Sequence, residues 1–197
     1  MNSPSRLNIP NFLTLLRIVA IPAVVLLLLP GARREISFQS SFAAFSIFVG
    51  AAVTDLFDGY IARRYRMVTD VGKLLDPLAD KLLVCAAMIM LIPPERVPAW
   101  MAVIVVAREI GVTALRGIAS TEGVVIAASR LGKWKTLLLN IGVAMLILHY
   151  PLFGLPVHSM GLGVLSAGLV LTTWSGLDYF FRFVGELFKH GPADGPP

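Results

Sequence analysis

Four aspartates, Asp55, Asp58, Asp76 and Asp80, fall in the stretch TDLFDGYIARRYRMVTDVGKLLDPLAD, with an apolar run on either side. An α-helix turns about 100° per residue, so Asp55, Asp58 and Ala62 share one helical face. Asp76 and Asp80 are one turn apart on another face, and Gly72 lies one turn before them. Two helices meeting here would aim four carboxylates at a common space. Desolvation and mutual repulsion would force protons onto such a group near hydrocarbon unless cations neutralised it. Oxygen ligands with no His or Cys nearby suit a hard divalent ion, Mg²⁺ or Mn²⁺, and two ions are expected. A charged interhelical loop that merely contains acids is the plain alternative. The spacing on both helices, with small residues at Gly59, Ala62 and Gly72, argues against it.

A metal pair held by Asp55, Asp58, Asp76 and Asp80 would neutralise a pyrophosphate and activate it for displacement, since positioning and charge stabilisation dominate phosphoryl transfer. A carboxylate less committed to metal would take a proton from an attacking hydroxyl, its pKa raised by its neighbours. The spacing alone does not say which one. A second constellation is basic. Arg108 and Arg116 sit near one face of the fourth apolar segment, and Ser129, Arg130, Lys133 and Lys135 cluster at the start of the fifth. Cations converging beside the aspartates make a pocket for a phosphorylated acceptor. Flanking charge at span ends is the bland account of Arg130. Arg108 is different, because VIVVA precedes it and an intramembrane Arg marks a functional site by default; a network with Glu109 or an aspartate is its structural alternative.

The elements that must carry these groups are apolar throughout. The chain has 197 residues, 56% hydrophobic and 15% charged, with a mean hydropathy of +0.78. A soluble domain is nearer about 25% charged, so the composition describes a polytopic, all-α integral membrane protein. The predicted spans run from about Phe12 to Leu29, Phe38 to Ile61, Val71 to Ile92, Ala99 to Ile118, Leu137 to Tyr150 (with a start nearer Gly132 as the alternative that reaches membrane thickness) and Ser159 to Phe181. Pro22 is expected to kink the first and Pro77 to bend the third. Arg17, inside the first span, is placed to snorkel or to bind phosphate. Residues 1–11 are expected to lie along the membrane surface and 190–197 to form a flexible tail, the whole chain being one domain. No cleavable signal is expected, because Met1 to Asn11 lacks a basic n-region.

Six spans put both termini on one side, with Arg6, Arg63, Arg64, Arg66, Lys73, Arg130, Lys133, Lys135, Arg182 and Lys189; Arg33, Arg34 and Arg96 fall on the other. That bias places the termini and the aspartates in the cytoplasm. The net charge of +5 then serves lipid phosphates and an anionic substrate rather than nucleic acid. Cys85, the single cysteine, excludes a disulfide within one chain and reads as packing. His149, His158 and His190 are expected to be interfacial or solvated, and Trp100, Trp134 and Trp174 to anchor at span ends.

Written as D-x2-D-G-x2-A-R-x8-G-x3-D-x3-D, the acidic stretch resembles at every fixed position the signature of the CDP-alcohol phosphatidyltransferase family. The resemblance implies that Asp55, Asp58 and Asp76 are metal ligands and that Asp80 is the base while also touching metal. It implies too that the nucleotide of a CDP-activated lipid lies against Asp55, Asp58, Gly59, Ala62 and Arg63, with Arg63 on phosphate. NIPNFLTLLRI and ASRLGKWKT are similar to the bacterial branch that makes phosphatidylglycerophosphate. That branch implies CDP-diacylglycerol as donor, glycerol 3-phosphate as acceptor, membrane lipids and a second copy of the chain as partners, and a bacterial inner membrane as location. Cardiolipin, phosphatidylserine and inositol-phosphate relatives share the acidic signature. Two other classes of membrane protein also use intramembrane carboxylates. An intramembrane prenyltransferase needs a second acidic cluster, but the second half offers only Glu109, Glu122, Asp178 and Glu186. A divalent-cation carrier needs polar groups through the membrane's depth, whereas these acids gather at one end.

Overall fold

The computed structural model describes residues 9–31, 35–65, 70–121 and 131–189, and their side chains except those of 9–14, 55–77, 120–121, 131–133 and 186–189. These residues form six α-helices: α1 (Ile9–Leu27), α2 (Phe38–Tyr65), α3 (Asp70–Met90), α4 (Ala99–Thr121), α5 (Leu131–Leu148) and α6 (Val157–Lys189). No strand occurs among them beyond an isolated bridge between Leu152 and Leu155. The expected all-α order is therefore present.

The helix boundaries differ from the expected spans for local reasons. α1 begins at Ile9, so Ile9, Pro10 and Asn11 are helical and continuous with the first apolar stretch; Pro fits a first helical turn, where its missing N–H costs nothing. Pro22 is retained inside α1, and the helical backbone continues through Pro77 in α3. Ser37 starts α2 as its cap, its Oγ accepting the Ser40 N–H at 3.1 Å. α5 begins at Leu131, which puts Lys133 and Lys135 on the helix itself. α6 runs eight residues past Phe181, to Lys189.

The six helices pack as α1 on α2 and α3, α2 on α5, α4 on α6, and α5 most closely on α6. Glycines set that last approach. A Cβ at Gly142 would lie 2.8 Å from the Leu165 backbone nitrogen, and one at Gly168 would lie 3.1 Å from that of Leu139. Such contacts are open only to residues without side chains, the usual means by which helices close on each other in lipid. Val24, Phe48, Leu83, Met88, Val105, Val143 and Leu165 fill the shared interior. Leu26, Val103, Ile110, Val170, Trp174 and Phe181 point outward, an apolar exterior of the kind lipid covers. Val157–Gly185 is long and apolar enough to cross a membrane, while Leu15–Leu27, Phe38–Thr54 and Trp134–Leu148 are shorter apolar stretches. Trp100 and Trp134 stand near helix starts; Trp174 is well inside α6.

At the end of the bundle away from the aspartates, Arg96 is buried. Its guanidinium donates to Ser41 Oγ at 2.9 Å, to the Ile147 carbonyl at 2.8 Å and to the Ile36 carbonyl at 3.3 Å, with the Tyr150 ring beside it. Arg96 is thus an internal clamp, a role that its place among the charges opposite the aspartates did not announce. His149 and His158, expected to be interfacial or solvated, are half-buried and face each other, Nδ1 to Nδ1, at 3.1 Å. Burial, with the charges of Arg96 and His158, pushes the His149 imidazole down to about 4.

Candidate active site

The acidic motif is carried by the last turns of α2 and the first half of α3, two helices in contact. The backbone is helical from Asp55 to Arg63 and from Asp76 to Asp80, so the spacings of three and four residues do fall on helical turns. The side chains of Asp55, Asp58, Gly59, Ala62, Arg63 and Asp76 lie outside the described residues. Asp80 lies within them, half-buried, between buried Ala79 and partly exposed Lys81. Carboxylate oxygens, which all four aspartates supply, are the donor type a hard divalent cation takes.

Beside this motif α1 supplies Arg17, which is buried rather than snorkelled to an interface. It lines a cavity of about 400 Å³ between α1 and α2, with Ala20, Ala23, Ile47, Gly50 and Thr54 around it. Thr54 turns its hydroxyl back onto the Gly50 carbonyl at 2.7 Å, leaving Arg17 as the charged group of that wall, level with the residue before Asp55.

The basic constellation assembles from α3, α4, α5 and α6. Arg108 crosses the face of α6 at Gly176, where a Cβ would come within 3.3 Å of Arg108 Cγ. Its Nε donates to the Thr172 carbonyl at 3.3 Å, and its Nη1 pairs with Glu109 Oε1. The Arg108–Glu109 pairing weighed from the sequence is therefore present. Glu109 Oε2 lies 3.5 Å from Lys81 Nζ, and Lys81 also donates to Thr113 Oγ1 at 2.5 Å. Arg116 lies two turns beyond Arg108 and places its guanidinium 5.5 Å from the Tyr179 ring centre.

Lys135 enters from α5 and is buried, with Arg108, Glu109, Arg116 and Lys81 all near enough for their charges to act on its ammonium. Of the residues expected to hold an acceptor phosphate, Arg108, Arg116 and Lys135 are thus brought together. Ser129 and Arg130 lie outside the described residues, as does the side chain of Lys133. Two members were not foreseen. Lys81 was hidden as the neighbour of Asp80, and Glu109 was read only as a partner for Arg108.

A helical, apolar-surfaced chain with an acidic motif across two helices and cations converging next to it defines a membrane-bound enzyme for phosphate esters. The chain belongs to the CDP-alcohol phosphatidyltransferase family, whose sequence profile matches residues 7–174. It is 40% identical over 185 residues to a CDP-diacylglycerol–glycerol-3-phosphate 3-phosphatidyltransferase of Bacillus subtilis, covering 89% of this chain and 94% of that protein. It is 38% identical over 180 residues to a probable phosphatidylglycerophosphate synthase of Mycobacterium tuberculosis, covering 91% of this chain and 83% of that one. A third relative, a CDP-diacylglycerol–glycerol-3-phosphate 3-phosphatidyltransferase of Rickettsia typhi, is 38% identical over 174 residues, 88% of this chain and 95% of the relative.

Proposed function

We propose that this chain transfers the phosphatidyl group of CDP-diacylglycerol to glycerol 3-phosphate, giving phosphatidylglycerophosphate and CMP. One observation carries the choice of acceptor: Arg108 and Arg116 of α4 and Lys135 of α5 converge beside the helix that bears Asp80. An uncharged alcohol would bring no anion to these cations, which outnumber the Glu109 carboxylate among them, whereas a phosphomonoester supplies one.

In this reading Asp80 accepts the proton of the acceptor hydroxyl as its oxygen attacks the lipid-bearing phosphorus. The bond from that phosphorus to the CMP oxygen breaks, and CMP leaves with the electron pair. Lys135, Arg108, Arg116, Ser129, Arg130 and Lys133 hold the acceptor phosphate. Gly59 and Ala62 leave room for the nucleotide, while Arg63, joined by Arg17, holds donor phosphate. Asp55, Asp58, Asp76 and Asp80 would hold Mg²⁺ or Mn²⁺ ions, two in number, which supply charge neutralisation for the diphosphate when bound.

The same reading makes the chain one domain with α1 to α6 as six spans of a bacterial inner membrane. Its termini and aspartates face the cytoplasm, as the distribution of Lys and Arg favours, and it works as a homodimer. Purified protein given CDP-diacylglycerol, Mn²⁺ and glycerol 3-phosphate should release CMP and form phosphatidylglycerophosphate. Serine, myo-inositol 1-phosphate and phosphatidylglycerol, offered in place of glycerol 3-phosphate, should release far less. Faster CMP release with any of these three would reassign the acceptor.

A further inference from the structure

Glu109 is the acid in the middle of the cations just described, and its two oxygens serve two different helices. Oε1 pairs with Arg108 on α4, its own helix. Oε2 reaches across to Lys81 on α3 at 3.5 Å. Each cation is held from a second side as well. Arg108 donates to the Thr172 carbonyl of α6, and Lys81 donates to Thr113 one turn beyond Glu109. Thr113 in turn bonds back to the Glu109 carbonyl at 2.6 Å. One carboxylate therefore ties α3, α4 and α6 together at the level of Asp80, the residue that precedes Lys81.

An ion pair in an apolar helix is a poor device for stability alone. Its desolvation cost offsets the attraction, and well-packed apolar residues would hold the helices at least as well. What an ion pair does better is fix charged groups in place. Arg108 and Glu109 keep only 10% and 16% of their side chains exposed, against 30% for Lys81. The pairing fixes Lys81, the residue after Asp80 in the chain, at the more exposed end of the bridge.

We propose that Lys81 is a further cation of the acceptor-phosphate site, and that Glu109 is its positioning residue, bridging it to Arg108 and so setting the distance between the phosphate cations and Asp80. This rests on the function proposed above. It extends that function from the cations that bind to the carboxylate that spaces them. Glu109 touches neither substrate in this account; it acts through Lys81 and Arg108.

The test is a kinetic cycle on purified full-length protein, measuring KM for glycerol 3-phosphate, KM for CDP-diacylglycerol and kcat for wild type, E109Q, K81M and the double variant. Loss of one charge-assisted contact corresponds to about a tenfold change or more. E109Q and K81M should each raise the glycerol 3-phosphate KM by about tenfold, with the donor KM within about twofold. Because Glu109 acts partly through Lys81, the double variant should exceed K81M by less than about threefold. E109D keeps the charge but is one carbon shorter and cannot span both partners, so it should fall between wild type and E109Q.

A purely structural ion pair would lower the melting temperature and the active fraction while leaving the acceptor KM alone, and that outcome overturns the proposal. So does a lowered acceptor KM in E109Q, which would make Glu109 an internal competitor for the cations. Multiplicative effects in the double variant overturn the bridge as well. If E109Q fails to fold, E109D combined with K81M decides on the same criteria. Wild-type protein that releases no CMP with any acceptor defeats the functional reading itself, an outcome distinct from an active wild type matched by E109Q.

Discussion

Gly176 gives the sharpest link between packing and substrate handling, because a substitution there should separate stability from function. A Cβ at this position would stand 3.3 Å from Arg108 Cγ and 3.6 Å from Arg108 Nε. The first distance is tighter than ordinary van der Waals contact, so Gly176→Ala forces the Arg108 stem away by a few tenths of an ångström. The Nε bond to Thr172 is already 3.3 Å, and that displacement carries it past the range of a hydrogen bond. A hydrogen bond to a charged group contributes about 1.5–3 kcal/mol. Arg108 keeps its Glu109 contact, so a fraction of that is lost. Gly176→Ala should raise the glycerol 3-phosphate KM by about three- to tenfold.

Gly176→Leu fills the space the guanidinium stem now crosses, and should raise that KM by about ten- to a hundredfold. The helix itself should not suffer from the alanine. Replacing Gly inside a helix gains up to about 1 kcal/mol in propensity, so its melting temperature should hold or rise. Detergent-solubilised protein, with initial rates over a range of acceptor at saturating CDP-diacylglycerol and a parallel thermal melt, measures both quantities. A folded Gly176→Leu enzyme with the wild-type acceptor KM would refute the placement of Arg108 in the acceptor site.

Three further outcomes are expected. Stripping the protein with EDTA should abolish CMP release and readdition of Mn²⁺ or Mg²⁺ should restore it, whereas full turnover in excess chelator would end the metal assignment. Asp80→Asn should lower kcat by about 10²–10⁴, the usual contribution of a general base, with partial rescue at higher pH; Asn at Asp55, Asp58 or Asp76 should instead weaken metal affinity, as titration of rate against Mn²⁺ will show. The His149 imidazole, facing His158, Arg96 and Tyr150, titrates at about 4 in the fold against the ordinary 6.5. The unfolded chain therefore binds the extra proton first, and stability should be full above 6.5 and fall as pH drops from there toward 4. His149→Asn, a residue that tolerates the φ of 62° found there, should flatten that slope in thermal melts, and an unchanged slope would count against the pairing.

What could be read in advance followed from periodicity and from chemistry carried by neighbours in sequence. The apolar runs gave the six helices because an apolar segment must satisfy its backbone internally. The aspartates were legible because their spacing is local to α2 and to α3. Contacts between distant residues were not. Lys81 meets Glu109 and Thr113 across two helices, and no period within α3 announces it. Arg96 is a related case: the sequence places it only in a short turn on the side opposite the aspartates, and the closing of the Ile36 and Ile147 carbonyls over it depends on residues far away in the chain. His149 and His158 sit on either side of a proline-broken turn, and their meeting depends on how tightly the turn folds. Its hairpin, with Leu155 N–H on the Leu152 carbonyl at 3.0 Å and positive φ at Phe153 and Gly154, is what brings α5 back against α6.

The same helices carry the rigid end and the chemical end of the protein, and their directions explain why the two do not interfere. α2 starts beside the Arg96 clamp at Ser41 and reaches the aspartates at its last turns; α3 leaves Asp80 and ends where the clamp's own loop begins. α5 carries Lys135 in its first turns and Ile147, whose carbonyl Arg96 holds, in its last. At the clamp end, Arg96 is matched with neutral acceptors and beside it stands a histidine pair, His149 being held neutral near pH 7. The other end concentrates Arg108, Arg116, Lys81 and Lys135 around one described carboxylate bridge, an arrangement that costs stability through repulsion until an anion arrives. Binding an acceptor phosphate would relieve that repulsion. Substrate should therefore raise the melting temperature of the whole bundle, and it should do so less in K81M, where one of the repelling charges is already gone.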